Sequence, residues 1–516
     1  MFKTSIKLAA LLGLIVLPAT AAEKKNVLFI VVDDLKPTLG CYGDNYVKSP
    51  NIDKLAASGT LFTSAYTNQA VCAASRCSFF SGLRPDRTKV HDLKTDFLEV
   101  TPWVVTLPEY LIKNGYTTAG CGKLFHGGKS DAKMEKRAWQ TMTSAENLPY
   151  AKGFNPPALH YQSKQAQGIV DELRKKNQDR YGKMVQALKD AKANPATENL
   201  DIPDDAYDDG AIAKEALNYI DQLSKGDKPF FVAAGFKKPH LPFVAPKKYW
   251  DMYQREEVPI AKYQQPAKDA PAYALHSWGE LKNYSDISQD GPVPMDKQRE
   301  LIHGYYACTS YVDAQIGVLL DGLKERGLDK NTIVVLLSDH GWHLGDHGVW
   351  CKHTNYEQAT RSCLMFSGPD ISAGKKTDSP TELVDVFSTI CEMVSVPVPK
   401  NLDGISLKPL LEDSEKHLRE VAVSSYPRYN GRMGYTMRDK RYRYVAWVKN
   451  DNLMKPLESL GVTLDEELYD YQKDALETTN MAKDVEMAAV IKTFRARLDK
   501  HLKDQAQRIK ENNNPS

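Results

Sequence analysis

The sequence has little net charge, because 68 lysine and arginine residues nearly balance 66 aspartate and glutamate residues in a chain of 516. The formal charge at pH 7 is +2 with neutral histidines. A protein that binds nucleic acid through a broad basic surface needs a clear excess of positive charge. We therefore expect no nucleic-acid partner, although a small anion needs only a local pocket of a few cationic side chains.

Long apolar runs are missing beyond the N-terminus, so we expect no stable insertion into a membrane. Residues 1–22 contain two early lysines, an apolar run over 8–17 and small residues before position 23. This pattern is typical of a secretory signal peptide, and the run is short for a membrane-spanning helix. We predict export, cleavage near Ala21 or Ala22, and a soluble mature protein in the periplasm or outside the cell.

Closely spaced cysteine pairs of the kind that bind zinc are also absent. The eight cysteines are scattered along the chain, at positions 41, 72, 77, 121, 308, 351, 363 and 391. Their density is far below that of a disulfide scaffold. The spacing leaves both free thiols and disulfides open and assigns no disulfide partners.

Two continuous apolar runs have the length of buried strands, NVLFIVV at 26–32 and TIVVLLSD at 332–339. Such runs are typical of parallel sheets, and helix patterns alternate with shorter strand patterns between them. We predict an α/β domain over residues 23–419, with a mostly parallel central sheet flanked by helices and a less regular excursion over about 127–205. The later pattern of half-buried strands and a charged helix predicts a smaller α+β subdomain with an antiparallel sheet over 420–516.

Polar residues follow both apolar runs. Asp33 and Asp34 come after the first run, and Asp339 and His340 come at the end of the second. Ligands of parallel sheets bind at the carboxyl ends of the strands, and buried carboxylates need a cation or hydrogen-bond donors. Oxygen-rich ligation favours Ca²⁺ or Mg²⁺, while the imidazole is also compatible with a transition metal. The alternative is a solvated turn after each strand, since aspartate pairs often start loops.

The stretch VCAASRCSFFSGLRPDRT, residues 71–88, places Cys72 at the start of a predicted helix and Arg76 one turn later. A thiol at a helix N-terminus lies near unpaired N–H groups and the positive end of the helix dipole. Such an environment suits a nucleophile that meets an anion. The same spacing also suits a buried structural cysteine beside a surface arginine.

Four further cationic or polar side chains follow predicted strands or lie on glycine-rich loops: Lys123, His126, His240 and Lys352. Together with Arg76 and a divalent cation, they would form a site for a tetrahedral oxyanion, either phosphate or sulfate. Each residue taken alone is more often a solvated charge or a structural hydrogen-bonding group.

Several motifs, in this order, resemble those of the type I sulfatases of the alkaline phosphatase superfamily. They are NVLFIVVDDLKP, VCAASRCSFFSGLRPDRT, GYTTAGCGKLFH, KKPHLPF, SDHGWHLGDHGVWCKH and MGYTMRDKRYRYVAWV. The motif VCAASRCSFFSGLRPDRT resembles the signature C-x-P-S-R, whose cysteine is oxidised to formylglycine, except that position 74 is alanine in place of proline. The Asp-His pair at 339–340 is similar to the iduronate-2-sulfatase branch, since many other sulfatases have Asp-Asn there.

The resemblance implies a sulfuric ester hydrolase that acts on a sulfated sugar of a polysaccharide or a glycosaminoglycan-like oligosaccharide. It implies that a formylglycine-generating or anaerobic sulfatase-maturating enzyme converts Cys72, and that the hydrated aldehyde, a gem-diol, attacks the sulfur. Two alternatives stay open: a phosphatase or phosphonate monoester hydrolase on the same scaffold, and an inactive protein that only binds sulfated glycans.

The resemblance also implies roles for individual residues. One Ca²⁺ ion would be bound by Asp33, Asp34, Asp339, His340 and the modified residue 72. Arg76 would hold the diol, while Lys123 and Lys352 would neutralise the sulfate oxygens. His240 would be the general acid for the leaving sugar oxygen, and His126 would accept a proton from the diol. The side chains that could contact the sugar are less specific: Trp342, Arg428, Arg438, Lys237 and Lys238, of which we predict Trp342 and Arg438.

Overall fold

The computed structural model describes residues 24–126, 129–455 and 457–512. The predicted signal peptide, residues 1–22, lies outside the described residues. Within the described part of the chain, none of the helices combines the length and the apolar character needed to cross a membrane.

An eight-stranded sheet forms the centre of the larger unit. In spatial order its strands are Lys375–Thr377, Gly59–Phe62, Leu364–Ser367, Thr332–Ser338, Asn26–Val32, Phe230–Phe236, Thr117–Gly122 and Thr141–Thr143. The two predicted apolar runs are neighbours and pair in parallel. Only Leu364–Ser367 runs against its neighbours in this sheet.

Helices cover both faces of the sheet, which explains why its central strands are apolar at every position. Leu28, Ile30 and Val32 enter one core, while Val27 and Phe29 enter the core on the opposite face. The α-helices of the described residues are Pro50–Ala57, Cys72–Ser81, Pro85–Thr88, Phe97–Val100, Leu107–Lys113, Lys129–Ala138, Lys164–Lys175, Tyr181–Asp190, Asp208–Leu223, Lys247–Trp250, Met295–Glu325, Glu357–Thr360, Asp385–Met393, Lys408–Glu412 and Ala488–Asn512. The predicted α/β fold with a mostly parallel sheet is confirmed.

Residues 129–205, the described part of the predicted excursion, are more regular than their composition predicts. They contain the amphipathic helices Lys164–Lys175 and Tyr181–Asp190, which bury only a few apolar side chains such as Val170 and Leu188. Because most positions of these helices are polar, the apolar period was too weak to predict them.

The C-terminal part contains an antiparallel sheet, as predicted, and this sheet has four strands. Its strands are Ala422–Arg428, Arg432–Arg438, Tyr442–Lys449 and Thr463–Asp470, and the helix Ala488–Asn512 packs against them. The fourth strand was not predicted, because it carries acidic residues at 465–467. Glu467 is buried nonetheless and accepts a hydrogen bond from Trp447 Nε1 at 2.7 Å. The boundary at 419/420 stays a prediction.

Three pairs of short strands complete the described strand structure. They are Ala65–Tyr66 with Thr381–Glu382, Thr197–Glu198 with Phe243–Val244, and His343–Leu344 with Trp350–Cys351. The last pair lies between the strand Thr332–Ser338 and Lys352, and so helps to place Lys352 near the end of the central sheet.

Candidate active site

Three carboxylates meet at the carboxyl end of the two central strands. Asp33 and Asp34 follow Asn26–Val32, and Asp339 follows Thr332–Ser338. The backbone N–H of Asp34 donates to Asp339 Oδ1 at 3.0 Å. All three side chains have at most 1% of their surface exposed. The alternative of solvated turns after these strands is therefore wrong.

Cys72 begins the helix Cys72–Ser81 and faces the carboxylates. Its Sγ atom lies 3.9 Å from Asp34 Oδ1 and 3.4 Å from His340 Nε2. Helix N-terminal N–H groups and nearby cations favour an anionic group at this place. The thiol is thus not an isolated core cysteine, because polar and charged groups surround it.

Arg76 holds two of the carboxylates. Its Nη2 donates to Asp33 Oδ1 at 2.8 Å, its Nε donates to Asp339 Oδ2 at 3.0 Å, and its Nη1 donates to the carbonyl of Leu124 at 3.1 Å. The alternative of a surface arginine is wrong, since the side chain is fully buried. Burial alone would lower the pKa of Arg76, but Asp339 and Asp33 outweigh it and raise the pKa.

Two lysines form ion pairs with these carboxylates. Lys123 Nζ donates to Asp33, and Lys352 Nζ donates to Asp34 Oδ2 at 3.0 Å. Lys352 also lies 4.9 Å from the centre of the Trp342 ring, in a cation–π contact. Burial alone would lower the pKa of Lys352, but Asp34 and the other nearby anions outweigh it and raise the pKa well above its usual value.

The two adjacent aspartates differ in their electrostatic surroundings. Burial would raise the pKa of Asp33, but the charges of Lys123 and Arg76 outweigh burial and hold it well below its usual value. Burial raises the pKa of Asp34 well above its usual value, with Lys352 only partly opposing it and Asp33 adding to it. The ionised form of Asp34 is therefore stabilised less than that of Asp33, and a cation beside Asp34 would stabilise it.

His240 faces this centre with one defined nitrogen. Its Nδ1 lies 2.5 Å from the carbonyl oxygen of Leu241, so Nδ1 is the protonated donor in that contact. Its Nε2 lies 3.7 Å from Asp34 Oδ2 and 3.3 Å from Glu280 Oε1. Burial and the charges of Lys352 and Lys123 hold the pKa of His240 well below its usual value.

The loop that carries His240 is held by groups beneath it. Asp209, at the start of Asp208–Leu223, accepts hydrogen bonds from the N–H groups of Lys237 at 2.8 Å and Lys238 at 2.9 Å. Lys238 Nζ donates to the carbonyls of His240 at 2.7 Å and Pro242 at 2.6 Å. Lys238 is therefore a buried support of the loop and not a sugar contact.

Glu280 was missed by the sequence analysis. It accepts from Lys352 Nζ at 2.9 Å and lies 3.3 Å from the Nε2 atoms of both His240 and His353. The residue belongs to a loop-like stretch rich in proline, tyrosine and aspartate, where one glutamate has no distinguishing local pattern. Glu280 can be recognised only in the structure, where this stretch folds back to the end of the central sheet.

Two predicted sugar contacts need correction. Trp342 is completely buried below Lys352, so its ring has no surface on which a sugar could lie. Arg438 is 8% exposed, its Nε lies 3.2 Å from Glu357 Oε2, and its guanidinium lies 3.8 Å from the centre of the Tyr471 ring. Both side chains are thus occupied by packing and ion pairing.

The donor set at this centre fits a hard divalent cation. Ligand atoms of Asp34, Cys72, Asp339 and His340 all lie within 4.8 Å of one another, and an overlapping group includes Asp33. His340 Nδ1 donates to the carbonyl of Gly341 at 3.0 Å, which leaves Nε2 to face the group. Carboxylate oxygens suit Ca²⁺ or Mg²⁺.

His340 shows how strongly the carboxylates attract positive charge. Burial alone would lower its pKa, but Asp339, Cys72 and Asp34 outweigh burial and raise the pKa to about 10. A bound cation would compete with this proton, since a metal ligand must be deprotonated at the binding nitrogen.

A cavity of about 780 Å³ opens beside the centre. Its wall includes Asp33, Lys123, His126 and His240, so four of the predicted site residues line one space. The volume is within the range of sites for small organic ligands and well above that of a single sulfate. The arrangement therefore provides an anion-binding, metal-compatible centre at the wall of a cavity large enough for a sugar.

Comparisons with known proteins identify the family to which the chain belongs. The family model described as Sulfatase matches residues 25–396, and the model described as N-sulphoglucosamine sulphohydrolase, C-terminal, matches residues 345–504. An iduronate 2-sulfatase from Mus musculus is 32% identical, over 92% of this chain and 94% of that protein.

Solved structures show the same fold. One, described as in complex with its substrate D-glucosamine-2-N,6-O-disulfate, has a TM-score of 0.68 and 21% identity, over 95% of this chain and 99% of that chain. A phosphonate monoester hydrolase from Silicibacter pomeroyi has a TM-score of 0.69 and 20% identity, over 93% and 95% of the two chains. The family-model match over most of the chain and the identity to the Mus musculus protein show that this chain belongs to the sulfatase family, the hydrolases of sulfate esters.

Proposed function

We propose that this chain removes sulfate from a sulfated sugar, and that residue 72 acts as formylglycine derived from cysteine. The observation that carries the proposal is the position of Cys72, at a helix N-terminus and within 3.9 Å of Asp34 Oδ1 in a buried centre of carboxylates and cationic side chains. The similarity to an iduronate 2-sulfatase and to a structure with a disulfated glucosamine supports a sulfated saccharide as substrate.

Sulfatases generally use formylglycine and a divalent metal, and the residues present fit both groups. Asp33, Asp34, Asp339 and His340 would hold the metal, for which we propose Ca²⁺. When present, formylglycine at position 72 supplies an oxygen nucleophile and the cation supplies positive charge beside the sulfate.

The chain's own residues then bind and orient the ester. Lys123 and Lys352 bind sulfate oxygens through their ammonium groups, which are paired with Asp33 and Asp34. Arg76 acts mainly as a positioning residue in the described geometry, because its donors contact Asp33, Asp339 and backbone carbonyls. The sequence analysis instead expected Arg76 to contact the diol of residue 72 directly.

The two histidines of the cavity move protons. His240 presents Nε2 to the centre while Nδ1 donates to the carbonyl of Leu241, so Nε2 is the atom that takes up a proton and passes it to the leaving sugar oxygen. Burial and the charges of Lys352 and Lys123 lower the pKa of His240, and the negative charge of a bound sulfate offsets the two lysines and so favours protonation at Nε2. His126 lines the same cavity and accepts the proton released when sulfate is expelled. Glu280, 3.3 Å from His240 Nε2, keeps this nitrogen oriented and favours its protonated form.

A phosphonate or phosphate monoesterase is the second candidate, because a phosphonate monoester hydrolase has the same fold. Cationic donors bind both tetrahedral anions, so residue types alone do not separate them. Parallel kcat/KM values on 4-nitrophenyl sulfate, 4-nitrophenyl phosphate and a phenylphosphonate monoester decide the question. A dominant sulfate activity is expected, and a dominant phosphorus activity would overturn the proposal.

The third candidate is an inactive protein that binds sulfated glycans. A screen of defined sulfated oligosaccharides, with sulfate release measured by ion chromatography, distinguishes binding from hydrolysis. We expect release of inorganic sulfate from at least one sulfated sugar, and the product also identifies the sulfated position. We further propose that the protein is exported through the signal peptide predicted at residues 1–22, which places it where extracellular polysaccharides occur.

A further inference from the structure

The cavity wall has more cationic and hydrogen-bonding side chains than one sulfate ester needs. Besides Lys123 and His240, its lining includes Lys237 and His160, which the proposed reaction does not use. These two residues come from different parts of the chain, the loop after Phe230–Phe236 and the stretch before Lys164–Lys175.

Lys237 is held at the cavity wall by an ion pair with Asp208. Its Nζ lies 3.0 Å from Asp208 Oδ2, and 22% of its side chain is exposed. Asp208 is also fixed by the hydroxyl of Tyr150, which donates to Oδ1 at 2.7 Å. An ammonium group has three donors, so Lys237 can keep the pair with Asp208 and still bind a ligand oxygen.

His160 brings a second, independent sign of a ligand. Its φ is +113°, a backbone conformation that residues other than glycine rarely adopt and that is often retained at functional sites. Its Nδ1 atom is buried and has no hydrogen-bond partner within the described part of the chain. Unpaired buried polar atoms are uncommon in folded proteins and call for a partner.

The charges around His160 favour an anion as that partner. Burial and the positive charges of Lys238, Lys237 and Lys123 hold the pKa of His160 well below its usual value, with only Asp208 opposing them. A neutral imidazole can donate one hydrogen bond, and an anion at this wall would accept it while it reduces the repulsion among the lysines.

We propose that Lys237 and His160 form a second anion site, which holds a further anionic group of the same sugar, a carboxylate or a second sulfate. The inference rests on the proposed sulfatase activity, because the scissile ester is the group that lies against Lys123 and His240. The enzyme would thereby select sugars with two anionic groups over sugars with one.

Two pairs of substrates test the site and separate the two sources of charge. The first pair is a 2-O-sulfated uronoside and its methyl ester, and the second is a disulfated and a monosulfated glucosamine. We expect wild-type kcat/KM to favour the more charged member of at least one pair by roughly 10-fold to 100-fold, the effect of one or two charge-assisted hydrogen bonds.

Variants then assign the preference to residues. Lys237→Met and His160→Gly should each lower kcat/KM on the preferred member by roughly 10-fold and change the other member by less than about 2-fold. Glycine accommodates the positive φ of position 160. Lys237→Arg should retain the preference, since it keeps the charge. The matched control is Lys214→Met, which removes a lysine of the helix Asp208–Leu223 whose side chain is 53% exposed.

The second anion site is overturned if the variants lose kcat/KM equally on both members of each pair, or if the wild type shows no preference. Either result leaves the sulfatase proposal unchanged. Titration calorimetry with the desulfated uronoside and with the monosulfated glucosamine gives a readout that needs no turnover. Weaker binding of either ligand by His160→Gly and Lys237→Met than by Lys237→Arg supports the site, and equal binding of both ligands overturns it. If no sulfate ester is hydrolysed but this difference persists, the sulfatase proposal fails and the anion site stands.

Discussion

Replacement of Lys238 by methionine tests whether the His240 loop depends on one buried ammonium group. The side chain is 4% exposed, and its Nζ donates to the carbonyls of His240 at 2.7 Å and Pro242 at 2.6 Å. Each hydrogen bond from a charged donor contributes about 1.5–3 kcal/mol. Methionine also removes the cost of burying a charge, which offsets part of the loss, so we expect the free energy of unfolding to fall by about 2 kcal/mol.

The effect on turnover should be larger than the effect on stability. Without the ammonium group the loop can relax, and a displacement of about 1 Å at a catalytic group costs roughly 100-fold in rate. We therefore expect kcat/KM of Lys238→Met on a sulfate ester to fall by about 100-fold, mainly through kcat. Initial rates at several substrate concentrations measure this, and urea unfolding followed by circular dichroism measures stability.

A matched surface variant separates this effect from a general loss of positive charge. Lys247→Met removes a side chain that is 49% exposed and paired with Asp251. Exposed ion pairs contribute little, so its free energy of unfolding should change by less than about 1 kcal/mol and its kcat/KM should be unchanged. Wild-type kcat/KM in Lys238→Met would instead show that His240 is positioned without this support.

Three further perturbations address the centre itself. Cys72→Ala should lower turnover by about 10³-fold or more, because it removes the nucleophile, while the thermal midpoint stays near wild type; retained turnover would remove residue 72 from the reaction. Arg76→Lys keeps the charge but loses the planar guanidinium group that donates to both Asp33 and Asp339. The free energy of unfolding measured in urea should therefore fall by about 3 kcal/mol. An unchanged urea midpoint would contradict a stabilising role of this buried network. Dialysis against a chelator should abolish sulfate release and lower the thermal midpoint, and Ca²⁺ should restore both; full activity after verified removal of divalent ions would exclude the metal.

The acidic strand ends could be predicted from sequence because the relevant physics is local. An apolar run such as 26–32 predicts a buried strand, and carboxylates directly after it must lie at the carboxyl end of the sheet. The register of the two central strands then brings Asp33, Asp34 and Asp339 together. Their convergence follows from the fold class and needs no knowledge of the loops.

Residues from loops could not be predicted in the same way. Glu280 and His160 have no local pattern, and their places at the centre depend on how long irregular segments return to the sheet. The prediction that Trp342 contacts the sugar was wrong for another reason. An aromatic residue after a strand can face a cavity or pack below a lysine, and the packing of the whole fold determines which of these occurs. Sequence therefore identified the metal-compatible end of the site more completely than its substrate side.

The proposed reaction depends on formylglycine at position 72. Mass spectrometry of the peptide that contains Cys72, on protein from its native host whose sulfate ester turnover is measured in parallel, detects this residue. We expect a peptide that has lost one sulfur and two hydrogens and gained one oxygen, in a fraction that rises with specific activity across preparations. Only thiol at position 72 together with full turnover would show that formylglycine is not the nucleophile.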